Sequence, residues 1–249
     1  MLGTALHSTG VGWAGDLMNT PSVDELRTHP VFGALDAFCL ERLFQVARFD
    51  QMRRHEVLCT AGERTELIHL ILDGIIKIST FAFNEKEVIL DILGTGDLVG
   101  EEALADERSG YTASVMRDAM MLSVPAAAVR ALLARSPEFA LAWIRNSYVS
   151  KFRLQQRMTE LAYGSIEDRL FRILCHLVRH HGMKTSKGNS ILQFPLTHQE
   201  LGNLIGATRE TTTVAVGRLK SAGIIGFRER KIILRDRTRS DSAEEEKVG

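Results

Sequence analysis

The stretch LTHQELGNLIGATRETTTVAVGRLKSAGII, residues 196 to 225, constrains this chain more than any other, because it spells two short helices joined by a glycine turn. Thr197 and Glu200 form a Thr-x-x-Glu capping box ahead of Leu201, Leu204 and Ile205, which predicts a helix starting there. Gly206 supplies the turn. With Thr208 as a second cap, Thr212, Ala215, Val216 and Leu219 fall on one helical face, while Arg209, Glu210, Thr213, Val214 and Gly217 share another. The first face is core, and the second is free to enter a major groove, as the second helix of a helix-turn-helix does.

Charge follows the same division. The chain is neutral overall, with 31 Lys and Arg against 31 Asp and Glu, but the charges are not evenly spread. From Ile166 to Arg237 there are 13 Lys and Arg against 6 Asp and Glu, a net of +7; residues 1–165 hold 16 against 21, a net of −5, and the tail from Thr238 holds 2 against 4, a net of −2. A basic run is usually no more than a solvated face. Here it coincides with the two-helix pattern, which makes double-stranded DNA the expected partner.

A chain of 249 residues with 45% apolar content can bury a full core and suggests two domains. No apolar run approaches the ~18 residues needed to span a bilayer, and the N-terminus lacks a basic start followed by an apolar block, so a cytoplasmic protein with no membrane partner is expected. Cys39, Cys59 and Cys175 are far apart with no Cys-x-x-Cys spacing, which argues against a disulfide framework or a zinc ribbon. The eight histidines contain no His-x-His pair. No metal site is expected, therefore, and a metal-dependent enzyme on a cupin-like barrel fails on the same ground.

Both ends, 1–23 and 237–249, have the composition of loosely ordered tails. A helical pattern over Val31 to Arg48 leads in, and the period then shortens. His55 to Thr60, Leu67 to Asp73, Ile75 to Phe81, Glu87 to Leu93, Tyr111 to Met116 and Met120 to Val124 are short apolar or alternating runs separated by turn residues. Asp73-Gly74, between two of them, predicts a two-residue hairpin. These runs form an all-β unit of about 80 residues, a sandwich or a jelly-roll-like barrel, within a sensor domain over 24–125. From Pro125 to Tyr163 there is no glycine, and one helix is predicted over 126–163. In it Leu141, Ile144, Tyr148, Lys151, Gln155, Met158 and Ala162 recur at spacings of three and four, which suits packing along a symmetry mate and a homodimer. Trp143 and Phe152 lie off that seam, toward the β-unit. Gly164-Ser165 interrupts the helix as a hinge before the reading domain, 164–236.

Five short motifs occur in order: Ile-Leu-Asp-Gly at 71–74, Gly-Asp-Leu-Val-Gly-Glu at 96–101, Glu-Leu-Ala-Tyr at 160–163, Glu-Asp-Arg-Leu at 167–170 and Thr-Arg-Glu-Thr at 208–211. On these, over about residues 30 to 236, the chain resembles the cyclic-AMP receptor protein/FNR (Crp-Fnr) family of transcription regulators. The resemblance implies an α+β fold: an N-terminal β-roll (jelly-roll-like, cyclic-nucleotide-binding-like), a long dimerisation helix and a C-terminal winged helix-turn-helix, with Ile225 to Leu234 as the wing. It implies a non-enzymatic regulator that binds a two-fold symmetric operator as a homodimer and works with RNA polymerase. The alternative is a cyclic-nucleotide-binding module acting on a protein partner, against which the basic helix-turn-helix argues.

Residue by residue, the resemblance implies an effector site at Gly100, Glu101, Glu102, Arg108, Ser109 and Gln155, a carboxylate to accept from a ribose and a guanidinium to grip a phosphate. The register departs from the cyclic-nucleotide pattern. Aligning Ala113 to Leu122 leaves Tyr111-Thr112 where the Arg-Ser pair is expected, and Leu154-Gln155 stands where the cyclic-AMP receptor presents Thr-Ser. The N-terminal cysteine cluster of an iron-sulfur sensor is missing, and the Gly96 to Glu107 loop offers no cysteine or histidine to a haem, so the cofactor stays unnamed. For DNA the resemblance implies Thr197, His198, Gln199, Thr208, Arg209, Glu210, Thr211, Thr213, Val214, Arg218 and Lys231. Arg209 matches the arginine that grips guanine O6 and N7 and Glu210 the acceptor for cytosine N4, while Val214 replaces a further arginine and suits a thymine methyl. The dimer seam implied is Leu141, Ile144, Tyr148, Gln155 and Met158.

Overall fold

The computed structural model describes residues 23–186 and 188–235; of the tails read at 1–23 and 237–249 only Val23 is described, and it opens a helix. Helix α1 (Val23–Arg27), a 3-10 turn at Phe32–Ala34 and α2 (Ala37–Val46) come first, α2 capped by the Asp36 carboxylate on the Cys39 amide at 2.7 Å. The β-roll follows as β1 (Arg48–Met52), β2 (Val57–Cys59), β3 (Leu67–Phe81), β4 (Glu87–Leu93), β5 (Leu98–Val99) and β6 (Thr112–Pro125). The sheet is antiparallel in the order β1-β6-β3-β4, with β2 also on β6 and β5 on β3. Ile71, Ile76, Val99, Ala113 and Met121 fill the roll. The outer side of β3 and β6, through Ile68, Leu70, Leu122 and Val124, packs on Phe32, Leu40, Phe139 and Trp143.

The hairpin expected at Asp73-Gly74 does not form. β3 continues through it because β6 is long enough to pair both halves, and the extra residues are absorbed as register shifts between Ile71, Asp73 and Ile75. Gly74 has φ +118°, and a Cβ there would lie 2.4 Å from that of Ala119, so the backbones meet where no side chain fits. The bulge is tied by Arg117 Nη2 on Asp73 Oδ1 at 2.6 Å.

The single helix expected over 126–163 is two, α3 (Ala126–Arg135) and α4 (Pro137–Ala162). Pro137 disfavours helical backbone at the residue before it, so Ser136 is extended (ψ 103°) and caps the Phe139 amide at 3.2 Å, leaving proline in the first turn where no amide is needed. Helix α3, with Ala126 and Val129 buried, belongs to the cluster on the outer side of β3 and β6. Only α4 carries the seam.

Gly164, at φ +102°, turns the chain into α5 (Ile166–His181), opened by a reciprocal Ser165–Asp168 capping box. Then come β7 (Gly182–Lys184), β8 (Ser190–Leu192), α6 (His198–Ile205), α7 (Arg209–Ser221), β9 (Ile225–Arg228) and β10 (Lys231–Leu234), the strands ordered β7-β8-β10-β9. β9 and β10 make the wing, turning at Glu229 (φ 50°) and Arg230 (φ 64°). Leu170, Leu174, Phe194, Leu201, Ile205, Val216 and Ile232 form the reader's core, and Ile75, Ile89, Ile92 and Met116 of the roll join the same cluster. The reader is therefore docked on the β4 side of the sensor.

Candidate nucleic-acid interface and sensor cassette

Local capping builds the reading surface. The Thr197 hydroxyl accepts from the Glu200 amide at 3.1 Å, and the Glu200 carboxylate accepts from the Thr197 amide at 2.7 Å, which fixes the start of α6. Gly206 is left-handed at φ 67° and ends it. The Thr208 hydroxyl then accepts from the Thr211 amide at 3.2 Å, and buried Thr212 donates to the Thr208 carbonyl at 2.7 Å. Thr212, Ala215, Val216 and Leu219 are buried, while Arg209, Glu210, Thr211, Thr213, Val214 and Gly217 are exposed, so α7 is split as its periodicity predicts.

The exposed groups differ in how free they are. The Thr213 hydroxyl donates to the Arg209 carbonyl at 2.8 Å, so His198 Nδ1, 2.8 Å from the same oxygen, is the donor in that pair. The backbone amide at the start of α7 and the Thr208 hydroxyl hold Glu210 below the usual carboxylate range, keeping it an acceptor. Gln199 donates to Asn203 Oδ1 at 2.8 Å, and Arg218 is ion-paired with Glu167. Lys231 lies on the wing opposite Arg228 and is half-buried.

The cassette uses its polar groups inwardly. Gly100, at φ 91°, opens a 3-10 turn over Glu101–Ala105. The Glu101 carboxyl accepts from Ser147 of α4 at 3.5 Å, and burial pushes its pKa up. Tyr111 donates to Glu102 Oε2 at 2.9 Å while its oxygen accepts the Gly100 amide at 3.1 Å. Burial, then the Glu102 charge, raises the Tyr111 pKa, so the phenol stays protonated. The other Glu102 oxygen is buried without a hydrogen-bond partner among the described residues. Arg108 is exposed and donates to the Gly62 carbonyl at 2.7 Å; Ser109 is buried and donates to the Tyr111 carbonyl at 2.8 Å. Gln155 is exposed on α4. Five of the six residues are thus tied into internal bonds, Gly100 and Glu102 sharing Tyr111, and Gln155 stands apart from them on α4.

The seam between sensor and reader holds residues that sequence reasoning missed. Arg157 is 6% exposed, and its guanidinium donates to the carbonyls of Leu90, Ile89 (2.7 Å) and Leu204 (3.2 Å), joining α4 to β4 and to the end of α6. Asp91 stands 3.9 Å away. Asn203 of α6 donates to Glu87 Oε2 at 2.8 Å, and Arg169 of α5 donates to the Ile205 carbonyl at 3.1 Å. His181 Nε2 donates to the Ile92 carbonyl at 2.9 Å. One signal was present: Trp143, Ser150, Arg153 and Arg157 share the core-facing stripe of α4, where arginines demand buried acceptors. A cleft of about 710 Å³ separates the start of α7, at Thr208, Arg209 and Glu210, from the β3–β4 hairpin around Lys86.

Helix α4 leaves a row of apolar side chains uncovered. Ile144, Tyr148 and Met158 are each about two-thirds exposed, at 64%, 65% and 64%, and Leu141 is exposed beside them. Trp143 is buried as expected. Phe152 is not against the β-unit: it is exposed and stacks on Tyr148 with ring centroids 6.3 Å apart, one turn along the same face.

A β-roll joined through a long helix to a winged helix-turn-helix defines a DNA-binding regulator with a sensory half. The comparisons agree. Residues 49–136 match the cyclic nucleotide-binding domain model, and residues 168–239 match the Crp-like helix-turn-helix domain model. The chain is 25% identical over 220 residues to the anaerobic regulatory protein of Bacillus subtilis, covering 87% of this chain and 89% of that one. It is 25% identical over 197 residues to the CRP-like cAMP-activated global transcriptional regulator of Mycobacterium tuberculosis, covering 78% and 87%. The structure of the c-di-GMP responsive global regulator CLP of Xanthomonas campestris shares the fold, with a TM-score of 0.69 at 18% identity over 81% of this chain and 100% of that one. The chain belongs to the Crp-Fnr family of transcription regulators. No helix among the described residues is long and apolar enough to cross a membrane.

Proposed function

We propose that this regulator binds a two-fold symmetric operator as a homodimer, with α7 of each protomer entering one of two major grooves about 34 Å apart. The carrying observation is the outward face of α7, where Arg209, Glu210 and Val214 stand exposed directly after a complete cap. Arg209 takes guanine O6 and N7, Glu210 takes cytosine N4, and Val214 meets a thymine methyl. Thr197, His198, Thr208 and Lys231 serve the phosphates, with Gln199, Thr211, Thr213 and Arg218 around them. The uncovered row of Leu141, Ile144, Tyr148 and Met158 supports the dimer, since a patch of this kind rarely faces water in a monomer. RNA polymerase is the protein partner, the cytoplasm the compartment, and the role regulatory and not catalytic.

The signal reaches the reader through the contacts of α4 and β4. In the docked arrangement the start of α7 faces the β3–β4 hairpin, so a duplex and the hairpin compete for one space. Release of the Arg157–Leu204 and Asn203–Glu87 bonds frees the reader. Two relatives are described as responding to cyclic AMP and to c-di-GMP. In this chain Arg108 and Ser109 are already bonded within the protein and two carboxylates, Glu101 and Glu102, crowd the cassette, which favours an effector without a cyclic phosphate. A binding-site selection with the wild type and Arg209→Ala tests the reading: the wild type should yield a two-fold symmetric site, and the variant should lose preference at one G·C pair in each half. An unchanged consensus overturns it.

A further inference from the structure

The seam where α5 meets the sensor concentrates histidines that the DNA-reading function does not use. His176 and His180 lie one turn apart near the end of α5 and His181 follows directly, with His176 and His180 ring centroids 4.6 Å apart and His180 and His181 6.3 Å apart. His181 is 9% exposed and packs edge-on against Phe194. Its Nε2 carries the proton that bonds the Ile92 carbonyl, which leaves Nδ1 unprotonated. Nδ1 has no hydrogen bond among the described residues and abuts Gly94 so closely that a Cβ there would sit 2.8 Å away.

We propose that this seam is an acid-sensitive latch, in which His176, His180 and His181 hold the reader docked while neutral and release it when they take up protons. Every element around them supplies charge, and Asp91, Asp97, Arg153 and Arg157 among these groups are already engaged. Helix α4 presents Arg153, Arg157 and Glu160, β4 presents Asp91, the turn after β4 presents Asp97, and α5 itself adds Arg179. The Asp97 carboxylate accepts from Arg153 and from the Gly94 amide, each at 2.9 Å, and Asp91 faces Arg157. An imidazolium arriving here meets the guanidiniums of Arg153, Arg157 and Arg179, while the carboxylates that face the rings, Asp91 and Asp97, are already engaged and a second N–H on His181 would point at the Gly94 backbone.

Burial lowers the pKa of all three, that of His176 to about 4, with His180 and Arg157 adding to the effect on His176. Groups depressed in the docked state and ordinary in the released state favour docking fully above the released value, ~6.5 for histidine. That preference is lost as pH falls from there toward the docked values. Each histidine freed by release shifts the equilibrium by up to about tenfold per pH unit within that window.

The test measures docking directly, in the full chain. Spin labels attached through a keto amino acid at Phe83, on the β3–β4 hairpin, and Ser221, at the end of α7, leave the native cysteines untouched. The distance between them should lengthen in the wild type from pH 7.5 to pH 5.5, and should stay short in H176Q/H180Q/H181Q. Gly94→Ala, which wedges a methyl against His181, should be open already at pH 7.5. A wild-type distance that does not change while circular dichroism reports a folded protein overturns the latch, as does a triple variant that follows the wild type. Should the triple variant not fold, a G94A distance equal to the wild type at pH 7.5 overturns it as well.

Discussion

Two short helical turns in this molecule begin alike and end differently. Gly206 ends α6 in a left-handed conformation before α7, and Gly100, also left-handed, follows β5 and opens the 3-10 turn at Glu101. Each is followed by charged residues of the kinds that bind nucleotides, Arg209 and Glu210 in one case, Glu101, Glu102 and Arg108 in the other. In the reader the cap is made by threonines, so the charged groups are left facing outward. In the cassette the structure is made by the charged and hydroxyl groups themselves, through Tyr111–Glu102, Arg108–Gly62 and Ser109–Tyr111. The same residue types can be a binding site or a scaffold, and what decides is whether other side chains have already satisfied the backbone.

The contrast can be broken by substitution, beginning where the largest effect is expected. Ile144→Glu would place like charges across the proposed two-fold seam on which a symmetric reader depends. It should cost at least about 3 kcal/mol of dimer stability, over a hundredfold in association, with matching loss of operator binding. Sedimentation checks this, and a variant that remains dimeric places the seam elsewhere. Arg209→Ala would remove the proposed bidentate contact and should cost about 1–3 kcal/mol at a single base pair, read by competition between operators differing there. Lys231→Ala, on the wing, should weaken all sequences alike and reduce the salt slope of binding by about one, measured by titration at several ionic strengths. Arg108→Ala should do least: stability within ~0.5 kcal/mol of wild type in denaturant melts. Calorimetry of either protein with cyclic AMP or cyclic GMP at millimolar concentration should give no heat. Heat in the wild type that vanishes in Arg108→Ala would erase the distinction between the two regions.

The reader was legible in the sequence because its determinants are local. Caps at Thr197 and Thr208 reach three residues ahead, and a helical face repeats every three or four. The bulge at Asp73-Gly74 was not legible, since the same dipeptide serves a hairpin and the choice belongs to β6, over forty residues later. The break at Ser136-Pro137 was written in the proline and overlooked because no glycine marked it. The seam is further from reach: Arg157 meets Leu204 across 47 residues and Asn203 meets Glu87 across 116, and no periodicity encodes such pairs. The β-roll's existence followed from its short apolar runs, but the fate of Glu102 and Tyr111 depended on which of several possible partners lay nearest.

The wing turn carries a consequence of its own. Glu229 and Arg230 both occupy left-handed backbone, which the two-residue hairpin geometry requires and which Asn-Gly would adopt with little strain. L-residues with a Cβ cost roughly 1–2 kcal/mol each in that region. The hairpin tip thus trades rigidity for charge, setting an acid and a base, both exposed, at the turn of the wing. Replacing the pair with Asn-Gly would leave a firmer wing with a blank tip, and the melting temperature and the DNA affinity of this regulator would move in opposite directions.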